Sequence, residues 1–286
     1  GADDNASGVA CLLEFAQAVA QHNVATRRSL LIAFWDSEEL GLLGSQHWCR
    51  NPTVPLSQAP LYLNIDMVGR LREGRIELLG SRSGYGLREL AATAIDPGVW
   101  IDYSWELEPN GDHWNFLSHR VPSLMLHTGL HDDYHRPSDD VGLINTEGVR
   151  LVARYLFDLA LTAADAEELP KFRGECFRET KRLQASRERT LPALPPDAPR
   201  PRVGLSWRAD PCEPHSIYLT RIVPGTPAAA AGLKPLERVV RLSGHEFAGT
   251  DGFQAGLNEA LAADAPEIAL RVERDGRVGE YVLRVE

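Results

Sequence analysis

The sequence contains no apolar run long enough to cross a bilayer, although 43% of its 286 residues are hydrophobic. A membrane-spanning helix needs about 20 consecutive apolar residues, so this segment contains no such span. Positive charge is also in deficit, and the formal net charge is −10. Nucleic acid is therefore disfavoured as a partner, because phosphate binding requires basic patches. What remains is a globular chain, long enough for a full core and two domains.

Cysteine is scarce and scattered, and no C-x-x-C pair occurs among Cys11, Cys49, Cys176 and Cys212. This spacing disfavours a sulfur-ligated zinc site. Buried free thiols are one interpretation, and a disulfide is the other. The segment starts without Met and has no visible signal peptide, which carries no information about targeting. We expect a secreted or periplasmic location, without a signal in the segment to support it.

Strand-like and helix-like runs alternate in the first part of the chain. Short apolar runs typical of buried strands occur in RRSLLIAFWDSEE, APLYLNIDMVGR, RIELLGS and VPSLMLHTG. Apolar residues at helical spacing occur in Val9–Val19, GLLGSQHWCR, Leu87–Ile95 and Glu147–Ala163. This alternation predicts an α/β fold over residues 1–165, with a central, mostly parallel sheet flanked by helices.

The composition changes near residue 165. Residues 166–200 are first polar and then proline-rich (TLPALPPDAPRPR), which is typical of an extended linker. Beyond them, four β-like runs surround one helical stretch near Gly252–Ala262 (SIYLTRIV, ERVVRLSG, EIALRVER and GEYVLRVE). Residues 201–286 are therefore expected to form a small, mostly β domain.

Carboxylate and imidazole side chains stand where predicted elements of the first domain begin or end. They are Asp4, Glu38, Glu39, Asp66 and His135. In open α/β sheets, ligands bind outside the carboxyl ends of the strands, and these side chains suit zinc with oxygen and nitrogen ligands. Singly, Asp4 could cap a helix, the Glu pair could favour a helix start, and His135 could be structural. Asp66 is harder to explain that way, because burying it without a partner is costly.

Taken together, the motifs of residues 1–163 resemble the M28 family of zinc aminopeptidases. The matching segments are GADDNASG, DSEELGLLGS, NIDMVG, GDHWNFLSHRVP and YHRPSDD. The resemblance implies two zinc ions, which Asp4 bridges. Glu39 and His135 complete the site of one zinc, and Asp66 serves the other. It also implies a cis peptide bond between Asp4 and Asn5.

The same resemblance implies that Glu38 is the general base and that Tyr134 hydrogen-bonds the tetrahedral intermediate. These roles agree with the chemistry of metal-assisted hydrolysis, in which a positioned carboxylate takes a proton from water. A free α-amine would be held near the zinc ions and carboxylates, so we expect peptides with a free N-terminus as substrates.

Further polar residues surround this predicted site. Asp112 and His113 match the family's Ser-Asp-His, with Gly111 in place of Ser, and form either a pocket wall that supports the ligands or a helix start. Asp139 either orients ligands or caps a helix. The residues expected to line the mouth of the site are His127, His131, Asp132 and Asp133.

In the M28 family, the zinc held by the residue at the Asp66 position also takes a His from an H-x-D segment upstream of GADDN. The printed sequence has no such segment. We therefore expect a fragment that binds at most one zinc tightly and has impaired aminopeptidase activity.

Residues 200–286 resemble a bacterial-type PDZ domain through RVGLSW, IVPGTPAAAAGLKP, VVRLSGHEF and RDGRVGEYVLRVE. The resemblance implies that Val203, Gly204 and Leu205 form a loop whose backbone N–H groups hold a peptide's C-terminal carboxylate, with the peptide added as a strand. Leu236 and Glu237 replace the usual Gly-Asp, which puts that turn in doubt. The alternative is a domain that only packs against the first.

A metallo-aminopeptidase with a C-terminal peptide-binding module is the leading hypothesis. A glutaminyl-cyclase-like acyltransferase, which uses one zinc, is a second, and the segment GLHDDYHRPSDD favours the peptidase over it. A catalytically degenerate scaffold is a third. Glu38 and Tyr134 argue against it, because a binding module needs no general base.

Overall fold

A computed structural model describes residues 1–22, 24–92, 98–195, 197–199, 201–263 and 266–285. The chain forms two compact units, unit 1 (Gly1–Thr180) and unit 2 (Lys181–Glu286). The boundary falls inside the segment 166–200 that the sequence analysis assigns to a linker. Residues up to Thr180 stay with unit 1 because Glu179 is buried there, bonded to both Arg82 and Arg173.

Unit 1 combines a four-stranded mixed sheet with helices. Its elements are α1 (Gly8–Gln21), α2 (Leu43–Arg50), β1 (Tyr62–Ile65), β2 (Arg75–Leu79), α3 (Leu87–Ala91), β3 (Trp100–Ser104), α4 (His113–Ser118), β4 (Ser123–His127) and α5 (Thr146–Asp165). The strand order is β1-β4-β2-β3, in which β1 is parallel to β4 and β2 to β3, whereas β2 and β4 are antiparallel. The predicted α/β class is confirmed, but the sheet is mixed. The connection from β1 to β2 is short and contains no helix, so β2 runs back against the β1 direction.

The core of unit 1 lies between the sheet and two long helices, α1 and α5. Asn145 caps α5, accepting a hydrogen bond from the backbone N–H of Gly148. Buried α5 residues at helical spacing include Val152, Leu156 and Leu159, which join the sheet residues in one apolar cluster. The predicted helices of residues 9–19 and 147–163 are thereby confirmed.

Three local expectations differ from the structure. Residues 29–35 of the run RRSLLIAFW form no strand and lie outside the sheet, with Leu31 61% exposed and Phe34 52% exposed. An apolar run predicts burial, but only a neighbouring strand makes it part of a sheet, and the described sheet ends at β1. The helix predicted over Leu87–Ile95 ends at Ala91, and residues 93–97 lie outside the described residues. Strand β3 is absent from the sequence prediction.

Unit 2 is a five-stranded antiparallel sheet with three helices in its described residues. Its elements are α6 (Lys181–Arg187), β5 (Leu205–Asp210), β6 (Glu213–Ile222), α7 (Pro227–Ala230), β7 (Arg238–Leu242), α8 (Gly249–Ala262), β8 (Glu267–Arg274) and β9 (Arg277–Arg284), and the strand order follows the chain. Phe253 and Leu257 of α8 are buried in its core. Leu236 takes a left-handed φ of 73° where the resemblance places Gly, held by a 2.7 Å bond from its N–H to the Leu219 carbonyl.

All four cysteines are buried and free, which agrees with the first of the two interpretations. Among the described helices, none combines the length and apolar character that a membrane span requires.

Candidate active site

The first site loop precedes α1. Residues Ala2–Ser7 form a helical turn that breaks at Asp4 and Asn5, and the peptide bond between these two is cis, as the resemblance implies. The side chain of Asn5 donates to the Ile65 carbonyl (3.0 Å) and accepts from the N–H of Met67 (3.2 Å). These bonds fix the loop against the end of β1 and place Asp4 at that end of the sheet.

The other predicted ligands lie on three further loops. Glu38 and Glu39 occupy a tight turn before α2, in which the Glu38 carbonyl accepts from Leu42 N–H at 2.8 Å. Asp66 directly follows β1, and its N–H donates to Leu126 of β4 at 3.1 Å. His135 lies in the connection after β4. The carboxyl ends of the parallel strands β1 and β4 thus lead into two of these loops.

Three of the predicted ligands converge. Nε2 of His135 lies 3.2 Å from Oδ2 of Asp4 and 3.2 Å from Oε2 of Glu39. One ligand atom from each residue lies within 4.8 Å of the other two. Asp66 is outside this group. The geometry thus assembles the three residues that the resemblance assigns to a single zinc.

The carboxylates around this group repel one another. Burial, and then the charges of Glu39, Asp112 and Asp4, raise the pKa of Glu38 to about 7. Burial, followed by Asp4, Glu38 and Asp112, raises the pKa of Asp66 to about 7. The pKa of Asp4 is raised as well, by burial and by Glu39. Such clustering of acidic groups is costly unless a cation neutralises it.

Tyr134 lies beside the three converging residues. Its ring stacks on that of His135, with centroids 3.8 Å apart. Burial, and then the charges of Asp4 and Glu39, raise the pKa of the Tyr134 hydroxyl. The hydroxyl is therefore protonated at neutral pH and can donate a hydrogen bond into the site.

Asp112 and His113 have different surroundings. Asp112 is buried, accepts a hydrogen bond from the Ser45 hydroxyl, and has a pKa raised by burial. Its charge also acts on Glu38 and Asp66. His113 is fully buried, and burial lowers its pKa to about 4. Asp112 thus lies next to the carboxylates, whereas His113 is a neutral side chain of the interior.

Asp139 holds the first site loop. Its Oδ2 accepts hydrogen bonds from the backbone N–H groups of Asp3 (2.9 Å) and Asp4 (3.1 Å), and its Oδ1 accepts from Arg70 (3.2 Å). Burial alone would raise the pKa of Asp139, but these bonds outweigh it and lower the pKa. Arg70 was not among the predicted site residues, although it stands at the end of NIDMVGR.

The residues expected at the mouth of the site divide into two kinds. Asp132 is exposed. His127 is buried and accepts a hydrogen bond from the Gly129 N–H, and its pKa is lowered to about 4 by burial. The His131 side chain is 6% exposed and lies against Asp3. His127, the last residue of β4, and the His131 side chain therefore lie inside the protein.

In unit 2, Val203 and Gly204 directly precede β5 and Leu205 begins it; all three are buried. Gly204 has a φ of +87°, and a Cβ there would come within 1.9 Å of Oγ1 of Thr226. Only glycine fits this position without displacing its neighbours.

Comparison with known proteins finds aminopeptidases among the relatives of this chain. The chain is 28% identical over 182 residues to aminopeptidase YwaD of Bacillus subtilis, covering 60% of this chain and 39% of the relative. It is 24% identical over 237 residues to the probable leucine aminopeptidase 2 of Aspergillus oryzae, covering 72% and 46%. The chain thus spans less than half the length of these curated relatives.

Solved structures also resemble part of this chain. The aminopeptidase from Aneurinibacillus sp. strain AM-1 matches with a TM-score of 0.51 and 26% identity, over 59% of this chain and 41% of that one. The LapA aminopeptidase of Legionella pneumophila matches in fold with a TM-score of 0.52 and 22% identity, over 59% and 48%. The sequence model of peptidase family M28 matches residues 1–160, which is more than half of the chain. The chain therefore belongs to peptidase family M28.

Proposed function

We propose that unit 1 carries the catalytic site of a zinc aminopeptidase. The observation that supports this most is the convergence of Asp4, Glu39 and His135 beside Glu38, a carboxylate outside the group. The aminopeptidases among the relatives and neighbours support the same reaction.

Zinc fits the residues present. Two carboxylate oxygens and one imidazole nitrogen are the ligand types of catalytic zinc sites, which keep a fourth position open. A divalent cation would also relieve the repulsion that raises the pKa of Asp4 and Asp66. By the family resemblance, Asp4 and Asp66 would hold a second zinc, and these two carboxylates without an imidazole would bind it weakly.

When bound, zinc supplies a Lewis acid that polarises the scissile carbonyl and acidifies water. Glu38 takes a proton from the attacking water and delivers it to the leaving amine. Tyr134 donates a hydrogen bond to the developing oxyanion. The surplus of carboxylates attracts the α-ammonium group of the substrate, so the substrates are peptides with a free N-terminus.

The metal assignment is tested by zinc affinity, measured by competition with a chromophoric chelator. His135→Gln should weaken binding by more than about 100-fold, because ligand loss exceeds the effect of supporting residues. The exposed His47 in α2 gives the matched control His47→Gln. Equal affinity of the two variants would contradict the assignment.

The reaction is tested with a leucine anilide and its N-acetylated form. An aminopeptidase cleaves only the free amine. A peptide with N-terminal glutamine distinguishes the acyltransferase alternative, because cyclisation to pyroglutamate leaves the chain length unchanged. Cyclisation without cleavage would refute the peptidase proposal.

We also propose that unit 2 is a PDZ domain that binds peptide C-termini at the β5 edge. Strand β5 is an outer strand of the sheet, and Trp207 on it packs against Phe253 of α8 with ring centroids 4.9 Å apart. An extended peptide can add to such an edge beside a helix. The carbonyls of Val203 and Gly204 accept from Ala228 and Val223, which holds the loop that would present N–H groups to a carboxylate.

Titration calorimetry with a hexapeptide library tests this proposal. Peptides with a free C-terminal carboxylate should bind, and the same peptides with an amidated C-terminus should not. Equal affinity for acid and amide forms would contradict it.

A further inference from the structure

Two groups of buried hydrogen bonds, each called a tie below, join the loops of the active site. The proposed mechanism uses neither of them. The first centres on Asp3, which is fully buried next to Asp4. Oδ1 of Asp3 accepts from the backbone N–H of Gly69 (2.6 Å) and from the Ser7 hydroxyl (3.0 Å). Oδ2 lies 3.0 Å from Nε2 of His131, which donates, since an ionised carboxylate can only accept. This tie connects three loops through one side chain.

The second tie centres on Arg70. Its Nη2 donates to Oδ1 of Asp139 (3.2 Å), and its Nη1 donates to Oδ2 of Asp133 (3.3 Å). Asp139 in turn accepts from the backbone N–H groups of Asp3 and Asp4. The planar guanidinium therefore links the Asp4 loop to both sides of the loop that carries Tyr134 and His135.

The backbone beside two predicted ligands needs such support. Met67, directly after Asp66, has a φ of 50°, and His135 itself has a φ of 55°. Non-glycine residues in this region cost about 1–3 kcal/mol and persist only where surrounding contacts fix them. The Met67 carbonyl accepts from Thr128 N–H (3.0 Å) and Oγ1 (2.6 Å), so this strained turn is also joined to the loop after β4.

We propose that His131 and Arg70 are positioning residues that hold the Asp4 loop and the His135 loop at ligand distance. The inference rests on the proposed zinc site but concerns residues outside it. Neither side chain belongs to the converging group, and both act through Asp3 and Asp139. Loss of either tie leaves the ligand residues present in the chain but lets the distance between Asp4 and His135 vary.

Zinc affinity of the full chain tests the proposal, with zinc alone as the probe. His131→Leu removes the donor to Asp3 and should weaken zinc binding about 10–100-fold. His131→Gln places an amide N–H near the Nε2 position and should restore most of the affinity. Arg70→Lys keeps the charge but cannot bridge two carboxylates, so it should also weaken binding.

A merely structural role predicts different results. Tyr155→Phe serves as the control. It removes a buried hydrogen bond from the Tyr155 hydroxyl to the Ala91 carbonyl, and neither of these residues belongs to the two ties. It should lower the melting temperature of the metal-free chain without changing zinc affinity. In the active enzyme, His131→Leu should lower kcat and leave KM unchanged.

The outcomes separate the two proposals. If the unmodified chain binds zinc and the folded variants His131→Leu and Arg70→Lys bind it equally well, the positioning role is wrong and the zinc site stands. The role is also wrong if His131→Gln binds as weakly as His131→Leu. If the unmodified chain binds no zinc, the proposed function fails, and this inference fails with it.

Discussion

Two acidic side chains of unit 1 and two of unit 2 have opposite surroundings. In unit 1, Glu38 and Asp66 face other carboxylates, and both have a pKa raised to about 7. In unit 2, Oδ2 of Asp210 lies 3.1 Å from Nη2 of Arg238, with both side chains 3% exposed, and Glu237 pairs with Arg274. Asp210 and Glu237 are neutralised by arginine side chains, whereas Glu38 and Asp66 face like charges, which a bound cation would neutralise.

This difference separates structural from functional acids better than burial does. Glu179 in unit 1 is as buried as Asp112, but bonds from Arg173 and Arg82 outweigh its burial and lower its pKa. Asp112, by contrast, has a pKa raised by burial. A buried acid among like charges is a candidate for chemistry, and one that is paired with arginine stabilises the fold.

The largest effect should come from Glu38→Gln, introduced into a form of the enzyme that has aminopeptidase activity. Turnover should fall about 10²–10⁴-fold, because the amide cannot accept the proton of water. Zinc content, measured by elemental analysis, should stay unchanged, since Glu38 is not one of the three converging residues. The exposed Glu14→Gln in α1 is the control. Near-normal turnover would show that Glu38 is not the general base.

In unit 2, Asp210→Asn should destabilise the fold by up to about 3–5 kcal/mol. The substitution removes the more buried of two carboxylates that contact Nη2 of Arg238, since the other, Glu188 at 3.3 Å, is 20% exposed, and breaking a buried pair is strongly destabilising. The free energy of unfolding of unit 2 is measured by urea titration, with the hydrogen exchange of β6 amides as the readout. The exposed Asp251→Asn in α8 is the control. A loss no larger than that of the control would contradict the comparison.

The same substitution in unit 1 should have the opposite sign. The folded-state pKa of Asp66, about 7, lies above its model value of 3.8. Its contribution to stability is therefore complete below pH 3.8 and is lost as the pH rises through about 7. At pH 8, Asp66→Asn should stabilise the metal-free chain by roughly 2–4 kcal/mol.

Urea unfolding of the metal-free chain at pH 5 and pH 8 provides the measurement. The unmodified chain should lose stability between these values, and Asp66→Asn should lose less. If the variant is less stable than the unmodified chain at pH 8, Asp66 is stabilised by a partner and the unit 1 acids are not mutually repelling.

The sequence was sufficient to predict the residues that converge. It was less able to predict the residues that hold the ligand loops together. Asp4, Glu39 and His135 stand in local motifs, and the resemblance of these motifs to the M28 family implied that the three residues meet. His131 and Arg70 act through tertiary contacts between loops, which composition and spacing do not encode. His131 was accordingly placed at the mouth of the site, whereas it lies against Asp3.

The fold follows a similar division. The apolar periodicity of α1 and α5 predicts both helices, because a helix face is determined by nearby residues. The run at residues 29–35 has the composition of a strand but no strand pairing, since pairing depends on a neighbour elsewhere in the chain. Leu236 takes its left-handed turn without glycine because the bond to Leu219 fixes it.

The smallest effect should come from an acid that is paired but exposed. Asp102 on β3 accepts from Nε of Arg75 on β2 at 2.8 Å, and a second bond joins Nη2 to the other carboxylate oxygen. The side chains are 49% and 35% exposed, so water screens the pair. Asp102→Asn should therefore cost only about 0.2–1 kcal/mol, and about 1 M salt should reduce the difference further. Thermal unfolding at low and high salt measures it. A loss comparable to that of Asp210→Asn would mean that pairing, independent of burial, sets the stability of an acid in this protein.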